Sequence, residues 1–176
     1  MDIFQNSIRA GASFISLDVI ENIHDNFMKI EITDNGCGMT KEMVQNVTDP
    51  FFTTRTTRKV GLGLSLLRQN AERTGGVMSI SSEPGKGTTV TATFVYDNID
   101  RPVLGDVPGA VILTATANPG IRFIYHHVKD NKSFTFDTLE VKKEIGENSF
   151  ESPELYSALK EYIVENLKEL KVDLDS

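Results

Sequence analysis

Between Met28 and Thr33 apolar and polar side chains alternate, Met28, Ile30 and Ile32 against Lys29, Glu31 and Thr33, and the run stops on Asp34-Asn35-Gly36-Cys37-Gly38. Period-two alternation marks a strand with one buried face, because successive side chains point to opposite sides of a sheet. Ending that strand on a carboxylate followed by glycines sets an acceptor beside backbone that carries no Cβ. Such an end can accept a hydrogen bond from an exocyclic amine, as adenine offers, and lets backbone approach a flat ring. The same residues also make an ordinary turn. The strand therefore needs company before it points to a ligand.

Upstream, Asp2 to Ala12 sets Ile3, Phe4 and Ile8 on helical spacing, with Gly11 closing the run, which predicts a helix. Thr40 is placed to cap a short helix over Lys41 to Asn46, with Met43 and Val44 turned inward. A stretch rich in Thr and Arg, without periodicity, runs from Thr48 to Lys59. Helical spacing resumes from Gly61 to Thr74 through Leu64, Leu67 and Ala71, and Gly75-Gly76 ends it. Val77 to Ser81 and Thr88 to Val95 read as a hairpin across Glu83-Pro84-Gly85-Lys86-Gly87, with Val90, Ala92 and Phe94 opposed to Thr89, Thr91 and Thr93. This order of elements predicts an α+β two-layer sandwich, a mixed and mostly antiparallel sheet with helices packed on one face.

The composition changes after Tyr96, where Asp97, Asn98, Asp100, Pro102, Gly105 and Pro108 crowd together. That shift divides the chain into residues 1–96 and a C-terminal α/β extension, 97–176. Within the extension, Ile121 to Val128 and Ser133 to Phe136 read as strands around an Asp130-Asn131 turn. Ser152-Pro153-Glu154 opens an amphipathic helix through Leu155, Leu159, Ile163, Leu167 and Leu170. This hairpin and helix are expected to extend the same sheet. The 18 Lys and Arg against 25 Asp and Glu give a charge of −7, which argues against a nucleic-acid partner. No run approaches the ~18 apolar residues of a membrane helix, and no basic-then-apolar leader opens the chain. Cys37 is the single cysteine, which excludes an internal disulfide and a multi-cysteine zinc site. The expectation is a soluble, cytoplasmic chain without a membrane partner.

Three further groups carry chemistry. Gly61-Leu62-Gly63-Leu64-Ser65 leads straight into a helix, where free backbone N–H groups and the helix dipole favour an anion. It is not a dinucleotide fingerprint, since Leu66 stands where a third glycine would fall; by itself it is also a plain glycine-rich helix entry. Gly85-Lys86-Gly87-Thr88 is not a Walker loop, because Ile80 holds the place of the earlier glycine and Gly follows Lys. Asp2 and Asn6 lie four apart and so share one helix face. A carboxylate and a carboxamide so placed suit a magnesium site and a water or hydroxyl to be activated, although exposed helix polars have the same spacing.

Taken in order, Asp2-x-x-x-Asn6, Asp34-x-Gly36-x-Gly38, Pro50-Phe51-Phe52-Thr53-Thr54, Gly61-x-Gly63-Leu64 and Gly85-x-Gly87-Thr88 resemble the GHKL superfamily of ATP-binding domains. That superfamily includes gyrase, the heat-shock chaperone ATPases, histidine kinases and MutL. The phenylalanine box and the Gly-Leu-Gly-Leu-Ser run look most like the histidine-kinase branch, and the resemblance covers about Met1 to Tyr96. It implies the left-handed Bergerat sandwich, with ATP held between sheet and lid. Carried over by position, Asn6 would coordinate Mg²⁺ bridging the phosphates and Asp34 would bind the adenine amine. Gly36 and Gly38 would shape the ring's slot, with Met39, Phe52, Leu62 and Leu64 in the same pocket. Gly61, Gly63 and the helix after them would hold the phosphates, Thr88 would support Asp34, and the lid cations Arg55, Arg58 and Lys59 would reach the γ-phosphate.

Two departures bear on activity. Hydrolysing branches usually place Glu where this chain has Asp2, and Asp is a methylene shorter; a misplacement of about an ångström can cost ~100-fold in rate. Family members also carry chain before this helix, so the N-terminal domain reads as short. The histidines are His24, in the polar Glu21 to Asn26 connection, and His126 and His127, on a predicted strand with opposite facings. Self-phosphorylation on a dimerising helix is therefore not expected within this chain. Cys37 reads as an inert thiol in the adenine loop, or as a redox-sensitive one without a neighbouring base. The expected function is an ATP-binding, histidine-kinase-like domain acting as kinase or regulatory ATPase on a separate protein partner, with Asp2 as candidate base. The alternatives are a nucleotide-gated switch without productive turnover and, third, a hydrolytic dimer clamp.

Overall fold

In the computed structural model, which describes residues 2–47, 62–146, 150 and 153–173, six strands form one sheet in the order β3-β4-β2-β1-β5-β6. The strands are β1 (Phe14–Asn22), β2 (Phe27–Asp34), β3 (Met78–Glu83), β4 (Gly87–Val95), β5 (Arg122–Lys129) and β6 (Lys132–Asp137). The helices are α1 (Asp2–Arg9), α2 (Lys41–Val47), α3 (Leu62–Arg73), α4 (Val107–Ala117), α5 (Thr138–Ile145) and α6 (Pro153–Glu169). All ladders are antiparallel except β1 with β5. A parallel neighbour needs a long crossover, and the segment carrying α4 supplies it between β4 and β5.

Register explains the two faces. Ile15, Leu17 and Val19 of β1 stand beside Asp34, Ile32 and Ile30 of β2 and beside Phe123, Tyr125 and His127 of β5. The apolar ones meet α1, α4 and α6 in one cluster with Phe4, Val111, Ile112, Ile163 and Leu167. Each large apolar side chain so buried contributes about 1.5–3 kcal/mol. A second cluster gathers Met28, Ala92 and Phe94 under Ala71 of α3. The opposite face of the central strands presents Asp18, Glu31, Thr89, Thr91 and His126, none fully buried, so among the described residues the central sheet is covered on one side.

Several elements differ from the sequence reading. Strand β1 was not foreseen as one, because Phe14 and Ile20 on the open face blur its alternation. Glu21, read as part of a polar connection, is a buried residue of β1. Helix α4 has apolar residues on all sides, so no 3.6-residue period shows; its signals are the cap, where Asp106 accepts from the Gly109 N–H, and Pro108 in the first turn. Helix α5, also unforeseen, is capped by Asp137 and closed by Gly146 at φ 93°. In α2 no residue is buried, and Met43 is 47% exposed rather than turned into the core. The Thr48–Lys59 stretch and the Ser152 cap lie outside the described residues.

Candidate nucleotide site

At one end of the sheet, Asp34 closes β2 opposite Thr88 at the start of β4 and beside Ile15 of β1. Helix α1 lies over that end. Its Phe4 meets Phe123 of β5 edge-on at 5.2 Å between ring centroids, and Ser7, three residues on and therefore on the same buried face of the helix, reaches Asp34. The hydroxyl of Ser7, itself buried, donates to Asp34 Oδ2 at 2.6 Å, and the Gly36 N–H donates to Oδ1 at 2.9 Å. Asp34 is 7% exposed. Both carboxylate oxygens are thus held by protein donors, and each keeps a further lone pair.

These groups line a cleft of about 670 Å³, within the range of small-molecule sites. Its polar side chains include Asn6, Asp34 and Thr88, and its apolar walls come from Ile32, Val90 and Leu64. Gly38 and Met39 of the loop after β2 and Met43 of α2 complete the rim. Arg9 also lines the cleft. It was missed in the sequence, although it stands three residues after Asn6 and therefore on the same helix face. Ser7 gave no such signal, since its role depends on where β2 ends.

The glycines answer first to the chain's own packing. A Cβ at Gly38 would stand 2.0 Å from the Glu83 carbonyl oxygen, and Gly38 has φ +66°. A Cβ at Gly36 would stand 2.7 Å from the Ala10 Cβ. The loop after β2 thus lies close against α1 and the β3–β4 turn, with Gly85 N–H bonded to the Cys37 carbonyl at 2.8 Å. Cys37 is exposed, on the cleft wall. The hydroxyl of Thr88 meets Ser82 Oγ at 2.9 Å.

Asp2 is exposed at the start of α1, and a Cβ on Gly63 would stand 2.7 Å from its own Cβ. Asp2 is not on the cleft wall, whereas Asn6, one turn later, is. Gly63 and Leu64 belong to the first turn of α3 with Leu62. Phe52, Arg55, Arg58, Lys59 and Gly61 lie outside the described residues. His24 is an exposed turn residue, while His126 and His127 face opposite sides of β5, half-buried and buried. Among the described residues no three His, Cys, Asp or Glu side chains gather as a metal centre, and no helix is long and apolar enough to cross a membrane.

Residues 1–98 match the family described as histidine kinase-, DNA gyrase B- and HSP90-like ATPase. The chain belongs to that family. Sporulation kinase B of Bacillus subtilis is 36% identical over 100 residues, 55% of this chain and 23% of that protein. The sensor histidine kinase ZraS of Escherichia coli is 30% identical over 91 residues, 52% of this chain and 19% of ZraS. The non-motile and phage-resistance protein of Caulobacter vibrioides is 31% identical over 107 residues, 58% and 13% of the two chains. The matched region spans less than a quarter of each relative. Membership of the ATPase family, with relatives named as a sporulation kinase and a sensor histidine kinase, makes the matched region a histidine-kinase-like ATP-binding domain. The cleft has the volume, the apolar walls and the buried carboxylate to take such a ligand.

Proposed function

We propose that this chain binds ATP with Mg²⁺ in the cleft and acts as a kinase or regulatory ATPase on a separate protein partner. The observation that carries the reading is the Asp34 carboxylate, buried at the cleft wall and braced by Ser7 and Gly36. Asp34 accepts from the adenine amine, while Ile32 and Val90 exclude water from the ring. Asn6 would offer one carboxamide oxygen to Mg²⁺, a sparse protein contribution that suits an ion brought in with a phosphate ligand and able to neutralise its charge. Arg9 and the start of α3, with Gly61 and Gly63, hold phosphate charge, and Arg55, Arg58 and Lys59 are the candidate lid cations. Asp2 is the candidate base for a partner's hydroxyl. Residues 1–96 form the nucleotide-binding unit in this reading and 97–176 its extension. The chain's charge of −7 supports a protein partner rather than a nucleic acid.

A second reading, a nucleotide-gated switch without turnover, is favoured by one observation: Asp2 is exposed and off the cleft wall. A base must come within about 3 Å of the proton it takes. Incubation with γ-labelled ATP and Mg²⁺ separates the readings. Label on an added protein supports the kinase, and bound but intact ATP supports the switch. Free phosphate supports the regulatory ATPase or the clamp, and a dependence of its release on dimer formation marks the clamp.

A further inference from the structure

Behind the cleft wall, Ser82 of β3 pairs in register with Thr88 of β4. Three partners surround its hydroxyl. The Met39 N–H donates to Ser82 Oγ at 2.8 Å, the Gly87 carbonyl lies 2.8 Å away, and Thr88 Oγ1 lies 2.9 Å away. A serine hydroxyl has one proton and two lone pairs. The Gly87 carbonyl can only accept, so it takes the Ser82 proton. The Met39 N–H fills one lone pair. The remaining lone pair must then receive the Thr88 proton, which fixes the direction of the Thr88 hydroxyl: its proton points back toward β3 and its lone pairs are left to the cleft.

Asp34, opposite Thr88 in the ladder, is constrained in the same sense. Its oxygens accept from Ser7 and Gly36, and an ionised carboxylate offers only lone pairs to anything further. Asp34 and Thr88 therefore display acceptors and no donor to the cleft. We propose that Ser82 sets the purine preference of the cleft, by holding the Thr88 proton away from it so that Thr88 and Asp34 together accept from a ligand amine. The inference rests on the reading of the cleft as an adenine site. An amino group in the 6-position has two protons for these acceptors, whereas an inosine nucleotide keeps one, on N1, and sets its 6-oxo lone pairs against the acceptor that the N1–H does not reach. Ser82 acts through Thr88, as a positioning residue.

The test compares ATP with ITP, both with Mg²⁺, by calorimetric titration of the whole chain. Wild type is expected to bind ATP about 100-fold more tightly than ITP, as sites with buried polar groups left unpaired reject the wrong partner. In Ser82→Ala the Thr88 proton is free to turn into the cleft, and the preference is expected to fall to about tenfold or less. A Ser82 that served packing alone would weaken both nucleotides equally, and an unchanged ratio overturns the inference. Thr88→Val provides the check that does not depend on Ser82→Ala folding. It should lower the ratio by itself, and the double variant should match Thr88→Val alone. A ratio left at the wild-type value by Thr88→Val, or a further drop in the double variant, overturns the inference while ATP binding stands. Wild type binding neither nucleotide overturns the adenine reading and the inference together.

Discussion

Glu21 illustrates how a single residue in this fold is held by its neighbours. It lies at the end of β1 remote from the cleft, 2% exposed, with His127 Nε2 at 2.7 Å from Oε1 and Lys129 Nζ at 3.4 Å from Oε2. Lys129 Nζ also donates to the Lys171 carbonyl at 2.6 Å, which ties the chain after α6 to the central strands. Burial pushes the Glu21 carboxyl up, but the His127 hydrogen bond, the charges of Lys129 and His127 and a Tyr96 hydrogen bond outweigh it, and its pKa lies below the ordinary value. Burial, with the Glu21 charge, pushes the nearby Tyr125 phenol the other way, upward. A depressed carboxyl adds stability that is complete above the unfolded value of about 4.3 and is lost as pH falls through the folded one. The melting temperature is therefore expected to drop on acidification below about pH 4.3, more steeply in wild type than in Glu21→Gln. Parallel melting profiles for the two proteins over that window would remove Glu21 as a contributor.

At the scale of elements, the site depends on how tightly the loop after β2 is threaded between α1 and the β3–β4 turn. Gly38→Ala forces a Cβ to within 2.0 Å of the Glu83 carbonyl and keeps a residue at φ +66°, so either the loop or the hairpin must move. Thermal unfolding should show a loss of at least about 1–3 kcal/mol, the scale of backbone strain at such sites, with nucleotide affinity falling along with it. Alanine tolerated in both respects would mean that the loop is less constrained than described. The same threading shows what a linear reading can reach. The β2 alternation, the Asp34-Gly36-Gly38 spacing and the β3–β4 hairpin are local patterns and were legible. The Ser7–Asp34 bond joins residues 27 apart, and it follows from where α1 sits on β2. The helix α4 left no period because its neighbours bury several sides.

For the whole molecule, the notable fact is that the family match ends at residue 98 while the sheet does not. Strand β5 supplies the parallel neighbour of β1, and Phe123, on that strand, is the seat of α1, the helix that carries Asn6. The sequence showed the β5–β6 hairpin as two strands; that β5 would lie parallel to β1, about a hundred residues earlier, is non-local pairing that no periodicity encodes. Residues 1–98 expressed alone would leave β1 as an open edge and Phe4, Ile15 and Leu17 without their covering side chains. Such a fragment is expected to lack cooperative thermal unfolding and to bind no ATP. A cooperative fragment with full affinity would make residues 99–173 dispensable to the site.

The central claim is that a purine nests against Asp34. Titration of ATP into wild type and Asp34→Asn, with the fold of each verified by circular dichroism, addresses it directly. Replacing the carboxylate removes a charged acceptor and turns an amide donor toward Ser7 or the ligand, so affinity should fall about 100-fold or more, in line with a charged hydrogen bond lost and a buried group left unpaired. A folded Asp34→Asn protein that binds ATP as tightly as wild type would contradict the assignment of this cleft to adenine.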